Sequence, residues 1–353
     1  MISVLMPILF SRRLLLPVWI AAAFALSATA RLAAELAWNP KTGWQVEESA
    51  LAGLTGAQGR TALALMNKAR RSEDSGSRGS AIKAYENVAF KFPGSVYASE
   101  ALFRAGKLLL ERKQYYKSFK DFQDMLRRYP NTKRFNEAIG EQYKIARALA
   151  NGAHNRAWGF FPLISNRTKG IEYFEVILLN APYSDYAPLV LMDIARGDQF
   201  IKSTDDAIDA LDRLVNNYPQ SVLAPVAYLT LGDLHASLTE GPKYDQGSTK
   251  VAMTYYEDYM ILYPGDSNIA AAAAGVDKMK TILAQSKIYI GDFYFYKRLN
   301  FTAAKVFYNE AITAYPDSPP AKFAKKRLAE LAARVSKESV GPKGPQKKRF
   351  WLF

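Results

Sequence analysis

Residues 96–132 read VYASEALFRAGKLLLERKQYYKSFKDFQDMLRRYPNT. Leu102, Ala105, Gly106 and Leu109 share one stripe of a first apolar-periodic run, and Ser118, Phe122, Met125 and Leu126 share one stripe of a second. Recurrence at three and four residues predicts two amphipathic helices, over about 96–112 and 115–128. Tyr129-Pro130-Asn131-Thr132 then ends the second helix. Proline drives the residue before it out of the α region and cannot continue the helix behind it. The Thr hydroxyl that follows is placed to cap a third helix.

This corner recurs. It is preceded by Phe92-Pro93-Gly94-Ser95 and followed by Ala181-Pro182-Tyr183-Ser184, Tyr218-Pro219-Gln220-Ser221, Tyr263-Pro264-Gly265-Asp266-Ser267 and Tyr315-Pro316-Asp317-Ser318. Successive prolines lie 37, 52, 37, 45 and 52 residues apart, a unit slightly longer than 34 residues with insertions. Gly106, Ser118, Phe122 and Pro130 have a spacing similar to the glycine, small residue, aromatic and proline of a tetratricopeptide repeat. The two small residues let antiparallel helices approach, and the aromatic fills the space against the next unit. The same slots hold Ala81, Tyr85 and Pro93; Gly170, Phe174 and Pro182; and Ala207, Leu211 and Pro219. They return as Gly232, Ala252, Tyr256 and Pro264, and as Gly291, Ala304, Tyr308 and Pro316. The expected fold is all-α: a tetratricopeptide-repeat solenoid of about six helix pairs with a C-terminal capping helix.

The 353 residues carry a formal charge of +14, which favours acidic partners or anionic lipid headgroups. No basic helix, zinc motif or RNP-like segment accompanies that charge, so nucleic acid is not expected as a partner. The chain has no cysteine, which excludes disulfides, thiol catalysis and cysteine-based metal sites.

In chain order, residues 1–30 read as an export signal: Arg12 and Arg13, an apolar stretch from Leu14 to Leu26, then Ala28-Thr29-Ala30 before a mature start at Arg31. The apolar run is short for a membrane span. Residues 31–60 form a lead-in with turn signals between Trp38 and Trp44, whose rings are expected to pack on the first helices. The repeat domain spans 61–336 and carries two insertions. One, 151–167, holds Trp158, Phe160 and Phe161, which either fold back onto the array or stand ready for a partner. The other, 239–248, holds Gly241-Pro242-Lys243-Tyr244-Asp245-Gln246. A long helical stretch over about 268–298 links the fifth and sixth pairs. It carries Tyr289, Phe293, Tyr294 and Tyr296, too many rings for one core. The capping helix, 319–336, is expected to turn Phe323, Leu328 and Leu331 inward and Lys322, Lys325, Lys326 and Arg327 to solvent. Residues 337–353 form a tail ending Lys347-Lys348-Arg349-Phe350-Trp351-Leu352-Phe353, suited to an anionic membrane surface or a partner's groove, or simply a disordered end.

No catalytic constellation emerges. His154 and His235 fall in different repeats. Asp205, Asp206, Asp209 and Asp212 share one helix, where the first two suit the positive end of its dipole better than a cation site. There is no phosphate-cradling glycine loop, nucleophile elbow or HExxH. An enzyme is not expected, nor a cofactor or metal.

Tyr244-Asp245-Gln246-x-x-Thr249-x-x-Ala252, running to Tyr263-Pro264, resembles a stretch of the BamD (YfiO) family of outer-membrane assembly lipoproteins. So do Ile290-Gly291-Asp292-Phe293-Tyr294-x-Tyr296-Lys297-Arg298 with Ala303-Ala304, and the early segment from Ala84-Tyr85 through Tyr115-Tyr116-Lys117-Ser118-Phe119. The resemblance implies a non-catalytic scaffold on the periplasmic face of the outer membrane. Such a scaffold docks to the periplasmic domains of the barrel-assembly protein and helps receive unfolded β-barrel precursors. Carried over, Tyr244, Asp245, Tyr294, Lys297 and Arg298 lie toward the scaffold contact. Phe103 and Lys107 lie in the groove nearer the substrate, where they suit a peptide ending in an aromatic carboxylate. One departure stands out: family members usually carry a cysteine at the mature N-terminus for lipid attachment, and this sequence has none. That leaves a rival reading, a soluble periplasmic repeat adaptor for cell division or envelope maintenance.

Overall fold

The computed structural model describes residues 36–46 and 56–340. The signal-like segment 1–30 and the aromatic end of the tail lie outside the described residues. The chain divides into two compact units, 1–135 and 136–353.

The first unit begins with a β-hairpin, β1 (Leu36–Asn39) and β2 (Gly43–Val46), paired so that Trp38 faces Trp44. Two helix pairs follow: α1 (Gly56–Asp74) with α2 (Arg78–Lys91), and α3 (Val96–Glu111) with α4 (Tyr115–Arg128). The hairpin docks on α1 as the sequence predicts for its tryptophans. Trp44 is buried, its backbone N–H donates to Asn67 Oδ1 at 3.0 Å, and the Arg104 guanidinium lies 5.0 Å from its ring centroid.

Within the α3–α4 pair the glycine slot does its expected work. A Cβ on Gly106 would meet the Phe122 ring at 2.9 Å. Ser118 adds something the size argument alone does not give: its hydroxyl donates to the Gly106 carbonyl at 2.7 Å across the buried crossing. The turn between the helices is closed by Lys113 at φ 55, with Gln114 N–H donating to Leu109 O at 2.9 Å and Lys113 N–H to Leu110 O at 2.8 Å. That is a Schellman closure with lysine in the left-handed slot that glycine usually fills.

The second unit takes in all of α5 (Phe135–Ala150) but its first residue, then a second hairpin, β3 (Arg156–Ala157) and β4 (Phe161–Pro162). It continues through α6 (Arg167–Asn180), α7 (Ala187–Phe200), α8 (Thr204–Asn217), α9 (Ala224–Ser237), α10 (Gly247–Leu262), α11 (Ile269–Asp292), α12 (Phe301–Ala314) and α13 (Pro319–Val340). The helices form the six expected pairs, with α13 as the cap. At the α5–α6 crossing a Cβ on Gly170 would come within 2.4 Å of the Ala150 backbone nitrogen, so only glycine fits there.

Helix α11 does more than link two pairs. It is the first helix of the sixth pair, and it packs on α10 at one end and α12 at the other. Tyr256 lies between Gly232 and Gly275, while Tyr308 lies against Gly291. Residues 293–298 then loosen into a π-helical turn that ends at Leu299, at φ 50.

Three side-chain expectations are corrected. The corner hydroxyls mostly do not cap the following helix: Ser95, Ser184 and Ser318 donate backwards, to the carbonyls of Phe92, Ala181 and Tyr315 at 2.7, 2.8 and 2.6 Å. They close the corner itself, and Ser318 alone of these three also accepts from the next helix, from Ala321 N–H at 3.2 Å. On α13, Phe323 is 42% exposed, whereas Ala321, Ala324 and Leu331 are buried. Arg327, expected in solvent, turns inward because Asp292 lies 3.2 Å from its guanidinium and Glu330 2.8 Å away. The Phe323 ring is left outside, beneath the Arg327 guanidinium at 4.7 Å.

Candidate partner-binding surface

In the first unit, α3 carries Phe103 and Lys107. The repeat pattern predicts that both face the groove; the structure corrects this for Phe103. It is 3% exposed, edge-on to Phe122 with centroids 5.7 Å apart. Arg134 covers it, its guanidinium 4.6 Å from the ring centroid. Arg134 is held there by the buried Glu100, which also accepts from Arg104 Nε at 2.9 Å. Arg104 and Arg70 in turn reach Glu73, at 3.4 and 3.2 Å. Tyr85 donates its hydroxyl to the same Glu73 carboxylate at 2.7 Å. Phe103 is therefore core beneath a cationic cover. Lys107 remains exposed, its Nζ 5.8 Å from the Phe103 centroid.

In the second unit, the insertion after α5 stands out from the fold. Trp158, Phe160 and Phe161 are all exposed on the β3–β4 hairpin, with Trp158–Phe160 and Phe160–Phe161 centroids 6.3 and 6.0 Å apart. Leu163 and Ile164, unremarked in the sequence, extend the exposed apolar run.

The other two stretches come together at one end of this unit. Tyr244 is exposed in the loop before α10. Asp245 Oδ2 accepts from Gly247 N–H at 2.7 Å, an Asx turn that starts the helix. Gln246 Nε2 ties the loop by donating to Gly241 O and Tyr244 O at 3.0 and 2.8 Å. Lys243 Nζ lies 5.1 Å from the Tyr289 ring, which sits about one turn before the π-helical segment. Tyr294 is half-buried, stacked on Phe307 at 5.5 Å and 5°. Lys297 and Arg298 are exposed, with the Arg298 guanidinium 5.5 Å from the Phe293 ring. The ring that periodicity overlooked is Phe295, the buried one. The extra residue in the π turn rotates it into the core and leaves Phe293 and Tyr296 partly outside.

Both histidines and three of the four α8 acids make contacts within the fold. His154 Nδ1 lies 2.7 Å from Leu163 O, at the base of the hairpin, and His235 stacks on Tyr255 at 5.5 Å and 11°. Burial lowers the His235 pKa below its usual value. On α8, Asp206 accepts from Ser203, Asp209 pairs with Arg213 at 3.5 Å, and Asp212 accepts from Tyr255, so the acidic cluster diverges to separate partners. Among the described residues no group of His, Cys, Asp or Glu is arranged to hold a metal ion. No helix among them is long and apolar enough to cross a membrane.

Residues 165–341, half of the sequence, match the YfiO family, described as outer membrane lipoprotein. The chain belongs to that family. The YfiO match takes in the Tyr244–Asp245 loop and the π-helical turn, and it begins just after the aromatic hairpin. A tetratricopeptide repeat is matched over 100–132, the α3–α4 pair and its corner. No curated protein matches the chain. Among solved structures it is similar to a tetratricopeptide repeat protein from Parabacteroides merdae, 14% identical over 77% of this chain and 99% of that one, with a TM-score of 0.31. A TPR repeats protein from Bacteroides fragilis is 12% identical over 77% and 98%, with a TM-score of 0.36. The C-terminal part of a TPR repeat-containing protein from Cytophaga hutchinsonii is 18% identical over 73% and 85%, with a TM-score of 0.32.

Proposed function

We propose that this YfiO-family chain is a non-catalytic scaffold of the outer-membrane β-barrel assembly machinery. It works on the periplasmic face of the outer membrane, after export directed by residues 1–30. It docks to the periplasmic domains of the barrel-assembly protein and helps receive unfolded β-barrel precursors. The observation that carries this reading is the family match over 165–341, together with the Lys243–Tyr289 contact that gathers the Tyr244–Asp245 loop and the Phe293–Arg298 turn at one end. Exposed Tyr244, Lys297 and Arg298 offer that end an aromatic and two cations, a composition suited to an interface centre and its charged rim. Stacking on Phe307 fixes Tyr294 beneath them, so the surface is preorganised before a partner arrives.

Affinity purification of the tagged protein from solubilised envelopes of its own host tests this role. Recovery of a large outer-membrane barrel with periplasmic domains is the expected result. Recovery of soluble periplasmic or division proteins alone would replace it with an adaptor of the cell envelope.

A further inference from the structure

The hairpin between α5 and α6 has no part in the docking end just described. Three of its rings stand in the open: Trp158 at 69% exposure, Phe160 at 66% and Phe161 at 60%, with Ile164 at 90% just beyond. Phe160 N–H donates to Ala157 O at 3.2 Å, and the two residues between, Trp158 and Gly159, both take positive φ, 50 and 87. Such a turn is easily made by Asn-Gly. A tryptophan in its first position is strained there, and its ring nevertheless stays 69% exposed. A large ring held on a strained, protruding turn is an arrangement that benefits an external phase.

Charge identifies the phase. From 142 to 171 the sequence contains no Asp or Glu, while it carries Lys144, Arg147, Arg156, Arg167 and Lys169. Lys144, Arg147 and Lys169 lean on carboxylates outside this span, Glu141, Asp193 and Glu172. The two arginines at the hairpin's feet do not. Arg167 donates to Ala150 O at 2.7 Å and lies 4.2 Å from the Phe200 ring, and Arg156 has no carboxylate partner among the described residues. A convex tip of Trp and Phe above unneutralised arginines matches a bilayer interface: rings among the headgroups and upper acyl chains, guanidinium groups against phosphates. Strand addition to a protein partner fits less well, because each strand is two residues long and β4 ends in Pro162, which lacks an N–H.

We infer that the β3–β4 hairpin is a membrane-insertion wedge, seating Trp158, Phe160 and Phe161 in the interface of an anionic phospholipid surface. It holds the second unit against the membrane independently of whatever protein the Tyr244–Arg298 end docks. The chain's lack of cysteine makes the test clean. The full-length Phe160→Cys protein is labelled with an environment-sensitive fluorophore and titrated with vesicles of phosphatidylcholine alone or mixed with phosphatidylglycerol. The expected result is a blue shift and a rise in emission with the mixed vesicles only. In unlabelled protein, replacing all three rings by serine weakens vesicle cosedimentation by about tenfold or more, and Arg156→Glu weakens it several-fold. These side chains are exposed, and an unchanged circular dichroism spectrum confirms that the variants fold. An unshifted fluorophore with mixed vesicles overturns the inference, even if the protein cosediments through its basic tail. Loss of a copurifying protein from the triple-serine variant, with vesicle binding intact, also overturns it and assigns the hairpin to a protein partner.

Discussion

Tyr256 donates its hydroxyl to Asp233 across 2.7 Å, and its ring fills the gap that Gly232 leaves between α9 and α10. Tyr308 repeats the relationship with Asp292, also at 2.7 Å, beside Gly291. In each case the dipeptide Gly-Asp supplies both the space for the ring and the acceptor for its hydroxyl. Burial, and then the hydrogen bond to the carboxylate, push both phenol pKa values well above the ordinary range. Where the aromatic is Phe122, the residue after the glycine is Lys107, and no acid is supplied.

Gly232→Ala would place a Cβ within 2.6 Å of the Tyr256 ring. The ring has little room to retreat, because its other edge faces Gly275, where a Cβ would come within 2.7 Å of it. The substitution is expected to destabilise the second unit by about 1–3 kcal/mol. Tyr256→Phe, which only removes the hydroxyl, is expected to cost about 1–2 kcal/mol. Urea unfolding of both variants, with unchanged slopes, measures the difference.

The corners are tied to each other by tyrosine. Tyr129 donates its hydroxyl to Pro93 O at 2.6 Å, and Tyr218 does the same to Pro182 O. Each bond spans 36 residues and joins one repeat to the next. Tyr129→Phe and Tyr218→Phe are each expected to lower stability by about 0.5–1.5 kcal/mol. A thermal midpoint lowered by a few degrees, with the helical spectrum retained, is the readout.

Asp121 is a pH-sensitive weak point in the first unit. Burial, followed by the neighbouring Glu86 carboxylate, raises its pKa to about 7, and Oδ2 has no hydrogen-bond partner. An acid with a raised folded-state pKa binds more protons folded than unfolded. Its contribution is thus fully present below the ordinary carboxylate pKa and is lost as pH rises toward 7. Asp121→Asn is therefore expected to stabilise the protein at pH 8 by about 2–4 kcal/mol and to have little effect at pH 4. Equal effects at both pH values would contradict the assignment.

Glu100 accepts from both Arg104 and Arg134 and holds Arg134 over Phe103, so Glu100→Gln removes the carboxylate that the two partly buried arginines share. A loss of about 3 kcal/mol is expected, the range for breaking a buried ion pair from one side. Proteolysis under native conditions should then cut the first unit sooner.

The repeat was legible because its determinants are local. Proline corners and small residues at crossings act within one helix pair, so Gly106, Ser118, Phe122 and Pro130 reveal it wherever they recur. What the sequence concealed depends on partners far along the chain. Phe103 looks groove-facing until Arg134, fixed by Glu100, closes over it. Arg327 looks solvated until Asp292 draws it inward and leaves Phe323 outside. The β3 and β4 strands are too short to carry an alternating pattern. The π turn shifts the face of every ring after Phe293, so a 3.6-residue period does not reveal that Phe295 is the one buried. At the candidate surface, the exposure of Trp158, Phe160 and Phe161 was an open alternative that only the turn geometry resolves.

The docking role is tested most directly by titrating the purified full-length chain with the purified periplasmic domains of its host's barrel-assembly protein. The proposed role predicts saturable binding that Lys297→Glu with Arg298→Glu weakens by about tenfold or more, while Lys107→Glu leaves it unchanged. Absence of binding, or binding indifferent to reversal of charge at the π-helical end, would contradict it.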